Sequence, residues 1–82
     1  MNQEEVLSEL RAVTTELAEQ QTTPALREQL LLIRSVLDEE EIDLSLRVER
    51  IRMILDELEE LSSLDMTTRT QLWSVSALIE QL

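Results

Sequence analysis

TPALREQLLLIRSVL, residues 23–37, contains the signals that decide the fold of this chain. Thr23 belongs to the residue types favoured at the N-cap of a helix. Pro24 follows at the first helical position, where its missing N–H costs nothing. Leucine and isoleucine then recur three or four residues apart, at positions 26, 30, 33 and 37, as on one face of an amphipathic helix. The stretch therefore predicts a helix that begins directly after Thr23.

The same skeleton returns twice along the chain, in DLSLRVERI at residues 43–51 and in DMTTRTQLW at residues 65–73. Each stretch opens with a residue suited to capping, continues with apolar or small residues, and places an arginine four positions after the cap. Asp43 and Asp65 are therefore predicted to be the N-caps of two further helices. Apolar residues at helical spacing follow both caps, which supports the same interpretation.

A fourth helix is predicted at the start of the chain, where Asn2 and Glu5 form the pattern of a capping box. Short links between helices force antiparallel neighbours, so we expect an all-α, four-helix up-and-down antiparallel bundle in a single domain. Two HEAT-like helix pairs are the alternative, because the 42 residues from Arg27 to Arg69 come close to the HEAT period of about 40. The expected helices lie at about residues 3–20, 24–41, 44–62 and 66–82.

The composition supports helices and argues against catalysis. The chain has no glycine, cysteine, histidine, phenylalanine or tyrosine, and no lysine. The usual nucleophiles and bases of enzymes are therefore missing, so we expect no enzyme activity and no cofactor. No apolar run reaches the roughly 18 residues of a membrane span, and the N-terminus is too acidic for a signal peptide. We expect a cytoplasmic protein that does not enter a membrane.

The charge is strongly negative, with 18 acidic residues against 7 basic ones and a net charge of −11. Such a surface repels phosphate, so direct nucleic-acid binding is not expected. It suits a basic protein partner or solubility in a salty cytosol, and the sequence leaves both open. The run DEEEID, residues 38–43, could attract Mg²⁺ or Ca²⁺ loosely, but it lacks the glycine and spacing of a calcium loop. A solvated helix end is the expected structure there.

Three arginines, Arg27, Arg47 and Arg69, fall at the fourth position of their predicted helices. A cation near a helix N-terminus opposes the helix dipole, so some compensation is expected. The preceding helices end in acidic residues, which an antiparallel turn would bring close. We therefore expect each arginine to clasp its own turn by pairing with the acids before it.

Some apolar residues exceed what one helix face needs. Leu31, Leu32 and Val36 widen the stripe of the second helix, and Trp73 and Leu78 lie beside the arc of the fourth. A broad core inside one chain would use them all. Alternatively they line a contact with another chain, since aromatic residues are enriched at the centres of such contacts. These five residues are the candidate interface.

The C-terminal stretch TRTQLWSVSALIEQL, residues 68–82, resembles the small archaeal uncharacterised protein family 0147. In that family Thr-Arg-Thr precedes an apolar residue, a tryptophan and an apolar helix. TPALR at residues 23–27 and DLSLRVERIRMILDEL at residues 43–58 resemble its earlier segments. The resemblance implies a compact four-helix bundle, an archaeal cytosol and no assigned activity. It is most specific at Thr68, Arg69, Thr70 and Trp73.

Together these features predict a non-catalytic interaction or assembly module that forms a homo-oligomer, in the simplest case a dimer. The alternative is an acidic adaptor or decoy that covers a basic, nucleic-acid-binding protein.

Overall fold

The computed structural model describes residues 2–20, 23–60 and 65–82. These residues form four α-helices and include no β-strand: α1 (Gln3–Gln20), α2 (Pro24–Leu37), α3 (Leu44–Glu59) and α4 (Met66–Glu80). The predicted all-α class is confirmed. None of the described helices is both long enough and apolar enough to cross a membrane.

The helices pack as a closed ring in chain order. α1 packs against α2 and α4, and α3 packs against the same two helices, whereas no described Cα atoms of the two diagonal pairs lie within 8 Å of each other. Arg11 of α1 pairs with Asp38 at the end of α2, and Thr15, one turn after Arg11, bonds to Arg34, one turn before Asp38. The contacts advance along α1 as they retreat along α2, so these helices run antiparallel. Stacked HEAT-like pairs would bring α1 against α3. The ring therefore favours the up-and-down bundle over that alternative.

The core consists of one apolar stripe from each helix. Leu10, Ile33, Ile51 and Val75 are representative, and each is completely shielded from solvent. The remaining core residues are Val6, Leu7, Leu17, Ala18, Leu26, Leu30, Val36, Leu37, Leu55, Leu58, Leu72 and Ile79.

The buried face of α1 includes a polar residue. Thr14 is completely buried, whereas the apolar Val13 beside it is partly exposed. α1 is contacted by both α2 and α4, so its buried arc is wide enough to include a threonine. Within the described part of the chain, the Thr14 hydroxyl has no hydrogen-bond partner.

The four predicted N-caps divide into two kinds. Asn2 Oδ1 accepts a hydrogen bond from the Glu5 backbone N–H at 2.8 Å, and Asp65 Oδ1 accepts one from that of Thr68 at 2.7 Å. Thr23 and Asp43 occupy N-cap positions, but their side chains accept no capping bond. Pro24 at the first position of α2 has no N–H, so this position adds no donor that lacks a partner within the helix.

α2 ends four residues earlier than predicted, at Leu37 rather than at residue 41. Residues 38–42 instead form tight turns, in which the N–H of Ile42 bonds to the Glu39 carbonyl at 3.0 Å. Four successive acidic side chains at a helix C-terminus would oppose the helix dipole, which explains the early end. α3 ends at Glu59, and its predicted end at residue 62 lies outside the described residues.

Candidate functional site

Arg47 lies at the turn between α2 and α3, but its acceptors differ from the predicted ones. Its Nε donates to the Ile42 carbonyl and its Nη1 donates to the Leu37 carbonyl, both at 2.9 Å. Among the described residues no carboxylate lies within ion-pair distance of Arg47. The predicted pairing with acids was therefore wrong for this residue. The last carbonyls of a helix lack partners within the helix, so a guanidinium that reaches back across the turn serves them directly.

Arg69 makes a similar contact at the turn between α3 and α4. Its Nη1 lies 3.4 Å from the Glu59 carbonyl at the end of α3, a long hydrogen bond. Arg27, at the start of α2, is exposed, and its side chain lines a shallow apolar depression with Ala18 and Leu31. Arg47 and Arg69 thus hold backbone at the ends of the preceding helices, which is a structural role.

Two carboxylates at the turn between α2 and α3 form ion pairs with arginines other than Arg47. Asp38 accepts from Arg11 Nε at 2.9 Å and from Arg34 Nε at 3.2 Å, and Glu39 lies 3.6 Å from Arg50. Partial burial raises the pKa of Asp38, but the hydrogen bonds and charges of Arg11 and Arg34 outweigh it, so this pKa lies below its usual value. The ion pairs of the described residues therefore engage two carboxylates, which leaves a strongly negative surface.

The acidic turn does not form a metal centre. Its carboxylates at residues 38–41 are all exposed, and Asp38 is held by two arginines. In the described part of the chain, no three histidine, cysteine, aspartate or glutamate side chains are grouped closely enough to hold a metal ion.

The five candidate interface residues do not form one surface. Val36 is buried in the core and is therefore not available to a partner, and Leu78 is partly buried against the core. Leu31 and Leu32 are 47% and 45% exposed on α2, and Trp73 is 58% exposed on α4. α2 and α4 lie diagonally across the ring, and none of their described Cα atoms lie within 8 Å of each other. The five residues are therefore divided between the core, α2 and α4, and do not lie on one surface of the chain.

Trp73 belongs instead to an exposed row on α4. Met66, Thr70, Trp73 and Ala77 are four, three and four residues apart, and all are exposed. Residues at this spacing share one face of a helix. The buried row of α4, Thr68, Leu72, Val75 and Ile79, has the same spacing and lies on the opposite side. We call the exposed row the α4 stripe.

The polar atoms of the α4 stripe are already satisfied. The Thr70 hydroxyl donates to the Met66 carbonyl at 2.9 Å, and the neighbouring Ser74 hydroxyl donates to the Thr70 carbonyl at 3.3 Å. Both hydroxyls thus bond within their own helix, so covering them with another protein would break no hydrogen bond to the helix. The stripe also lacks acids, because Arg69 carries the single charge between Met66 and Ile79.

The other exposed apolar residues have charged residues near them on the same helix. On α2, Glu28 precedes Leu31 and Leu32 by three and four residues and is exposed on the same side. On α3, Leu46 and Met53 are more than half exposed, but this helix has seven charged residues among its sixteen. The α4 stripe is therefore the exposed apolar row without an acid of its own helix beside it.

An open groove of about 510 Å³ runs between α1 and α4. Val13, Leu17 and Leu78 contribute its apolar lining, and Glu9 and Glu16 lie along α1 at its edge. A bond between the side chains of Gln20 and Gln71, at 3.3 Å, lies at one end. The titratable side chains of its lining are Glu9 and Glu16, and the Ser74 hydroxyl donates to the Thr70 carbonyl.

Sequence reasoning identified Trp73 but missed Met66, Thr70 and Ala77. The signal was present as a second row of residues with the same spacing as the core row of α4.

Compared with known protein families, curated proteins and solved structures, the chain shows no significant match. The resemblance of residues 68–82 to an archaeal family stays a prediction.

Proposed function

We propose that this protein is a non-catalytic interaction module that self-associates through the α4 stripe. The observation that carries the proposal is the exposure of two large apolar side chains on one helix face, with Met66 70% and Trp73 58% exposed. Tryptophan and methionine are enriched where proteins bind each other. The small size of the chain supports the proposal too, because a small domain buries a modest fraction of its surface and is stabilised by association.

The charge distribution favours dimerisation through the α4 stripe over dimerisation through the acidic faces of the chain. Two chains of net charge −11 repel each other, and the repulsion is strongest where their acids meet. α1 and α3 each contain several acids, whereas α2 and α4 contain one each, Glu28 within α2 and Glu80 at the last position of α4. Two copies that meet at the α4 stripe keep most of their acids apart.

The expected affinity is modest. α4 has 15 residues and is about 22 Å long, so a contact built on this helix falls at the low end of specific interfaces, below about 1,200 Å². We therefore expect a dissociation constant in the micromolar range, about 1–100 μM. Self-association at this strength would depend on cellular concentration, as is typical of a regulated assembly module.

Sedimentation equilibrium tests the proposal with two matched variants. Trp73→Glu places a charge in the α4 stripe, and Leu32→Glu places one on α2 at a leucine that is 45% exposed. We expect the wild type and Leu32→Glu to dimerise with similar constants, and Trp73→Glu to remain monomeric. A wild type that stays monomeric at millimolar concentration, or a Trp73→Glu dimer as tight as the wild type, contradicts the proposal.

The acidic adaptor remains a second candidate, because most carboxylates of the described residues take part in no ion pair. An unpaired acidic surface attracts a basic protein by charge alone. Titration with an arginine-rich peptide measures this directly. Binding that weakens steeply between 50 and about 300 mM salt would support the adaptor, since screening shortens the reach of surface charge. Absence of binding at low salt would exclude it.

A further inference from the structure

The α4 stripe alternates large and small side chains. Met66 and Trp73 are large, and Thr70 and Ala77, which lie between and beyond them, are small. Side chains at an interface interdigitate well when a large residue meets a small one. The order large, small, large, small therefore restricts how a second copy of the same helix can pack against it.

We propose that two copies pack α4 against α4 in antiparallel orientation, across a twofold axis that passes between Gln71 and Leu72. This inference rests on the proposed self-association and specifies its geometry. In this register Met66 meets Ala77 of the partner subunit, and Thr70 meets the partner's Trp73. Because the axis is twofold, each contact occurs twice, so all four stripe residues are used.

The parallel alternative fits the same residues poorly. It would place Trp73 against Trp73 of the partner subunit and Ala77 against the partner's Ala77. The helices would then be forced apart at the tryptophans and leave a gap at the alanines, which close packing disfavours. It would also align two helix dipoles side by side, whereas the antiparallel pair sets opposite ends together.

The flanks of the contact are compatible with the antiparallel register. Thr67 and Ser74 lie along one edge of the stripe and Arg69 and Ser76 along the other, so no acid of α4 lies beside the stripe residues. Glu80, the one acid of α4, lies beyond the last stripe residue, Ala77, whereas Glu9 and Glu16 of α1 line the groove beside Ser74 and Ala77. The pairing thus sets no acid of α4 against an acid of the partner's α4.

Engineered cysteines test the register, because the chain has no cysteine of its own. Met66→Cys and Ala77→Cys are made in separate chains. Each variant alone, and an equal mixture of the two, is oxidised with a glutathione buffer. In the proposed register position 66 faces position 77 of the partner. The same position in the two copies is about 16 Å apart along the axis, too far for the roughly 7 Å limit between disulfide-bonded Cα atoms.

We expect the mixture to form at least ten times more disulfide-linked dimer than either variant alone. A control for random collisions mixes Met66→Cys with Ser8→Cys, which lies on the exposed side of α1. This mixture should give only a low yield of disulfide-linked dimer. Efficient linkage of Ala77→Cys by itself would overturn the antiparallel register. If sedimentation shows a dimer and the mixture does not cross-link, this inference fails while self-association stands. If the wild type does not dimerise, both fail.

Discussion

Replacing Arg47 with methionine removes the two hydrogen bonds that fasten α3 to the end of α2. The lost bonds reach the Leu37 and Ile42 carbonyls, and the first of these is buried. Methionine keeps an aliphatic side chain of similar length, so the main change is the loss of the donors. A hydrogen bond from a charged donor is worth about 1.5–3 kcal/mol, and removing a cation near a helix N-terminus returns about 0.3–1 kcal/mol. We expect the free energy of unfolding to fall by about 2–6 kcal/mol.

Urea unfolding followed by circular dichroism at a fixed protein concentration measures this loss. Arg50→Met is the matched control, since Arg50 lies 3.6 Å from Glu39 and both side chains are about half exposed. An exposed pair of this kind contributes about 0–1 kcal/mol. Equal losses in the two variants would refute the assignment of Arg47 to the backbone carbonyls.

A double-mutant cycle separates carbonyl acceptors from carboxylates. Glu40→Gln and Glu41→Gln are each combined with Arg47→Met. Because the acceptors are carbonyls, we expect the loss caused by Arg47→Met to stay the same within about 0.5 kcal/mol in both backgrounds. Coupling well above that value would restore the pairing with acids that the sequence suggested.

Other residues and conditions give independent predictions. Thr14→Val removes a buried hydroxyl that lacks a partner among the described residues, so unfolding free energy should rise by about 1 kcal/mol, and a loss would contradict this. Thr15→Val is its control, since that hydroxyl accepts from Arg34 at 2.9 Å and its removal should cost about 0.5–1.5 kcal/mol. Asp65→Ala should lower the unfolding midpoint in urea more than Asp43→Ala, because the Asp65 side chain makes a capping bond and that of Asp43 does not. Hydrogen bonds from Thr68 lower the pKa of Asp65, so the Asp65 carboxylate should stabilise the fold equally from about pH 5 to 7. This stabilisation should disappear as the pH falls below about 4, the usual pKa of an aspartate. An Asp65 contribution to the unfolding free energy that grows in acid would contradict this. Raising salt from about 0.05 to 0.5 M should tighten the dimer, because it screens repulsion between two negative chains, and weaker dimerisation in salt would indicate a contact held by ion pairs.

The fold was predictable because caps and apolar spacing are local signals. Thr23 with Pro24 marked the start of α2 correctly, and the spacing from Leu26 to Leu37 identified its buried face. The end of α2 was less predictable. The four acids after Leu37 oppose the dipole of a helix that continues through them, but the sequence did not show at which residue α2 stops.

The candidate site was less predictable, because it depends on which helices are neighbours. Leu32 and Trp73 both exceed the needs of a core stripe, but sequence spacing cannot show that α2 and α4 lie diagonally across the ring. The arginine clasps show the same limit. Their position at the turns followed from the sequence, whereas the choice of the Leu37 carbonyl over a nearby carboxylate depends on where α2 ends.

Small-angle X-ray scattering tests the central claim, that the α4 stripe binds a second copy, most directly. The single chain has a radius of gyration of 12.0 Å, and a compact pair of such chains would have one of about 15 Å. At about ten times the dissociation constant we expect the wild type to approach the larger value and Trp73→Glu to show the smaller one. Radii that agree for the two proteins at every concentration would contradict the account.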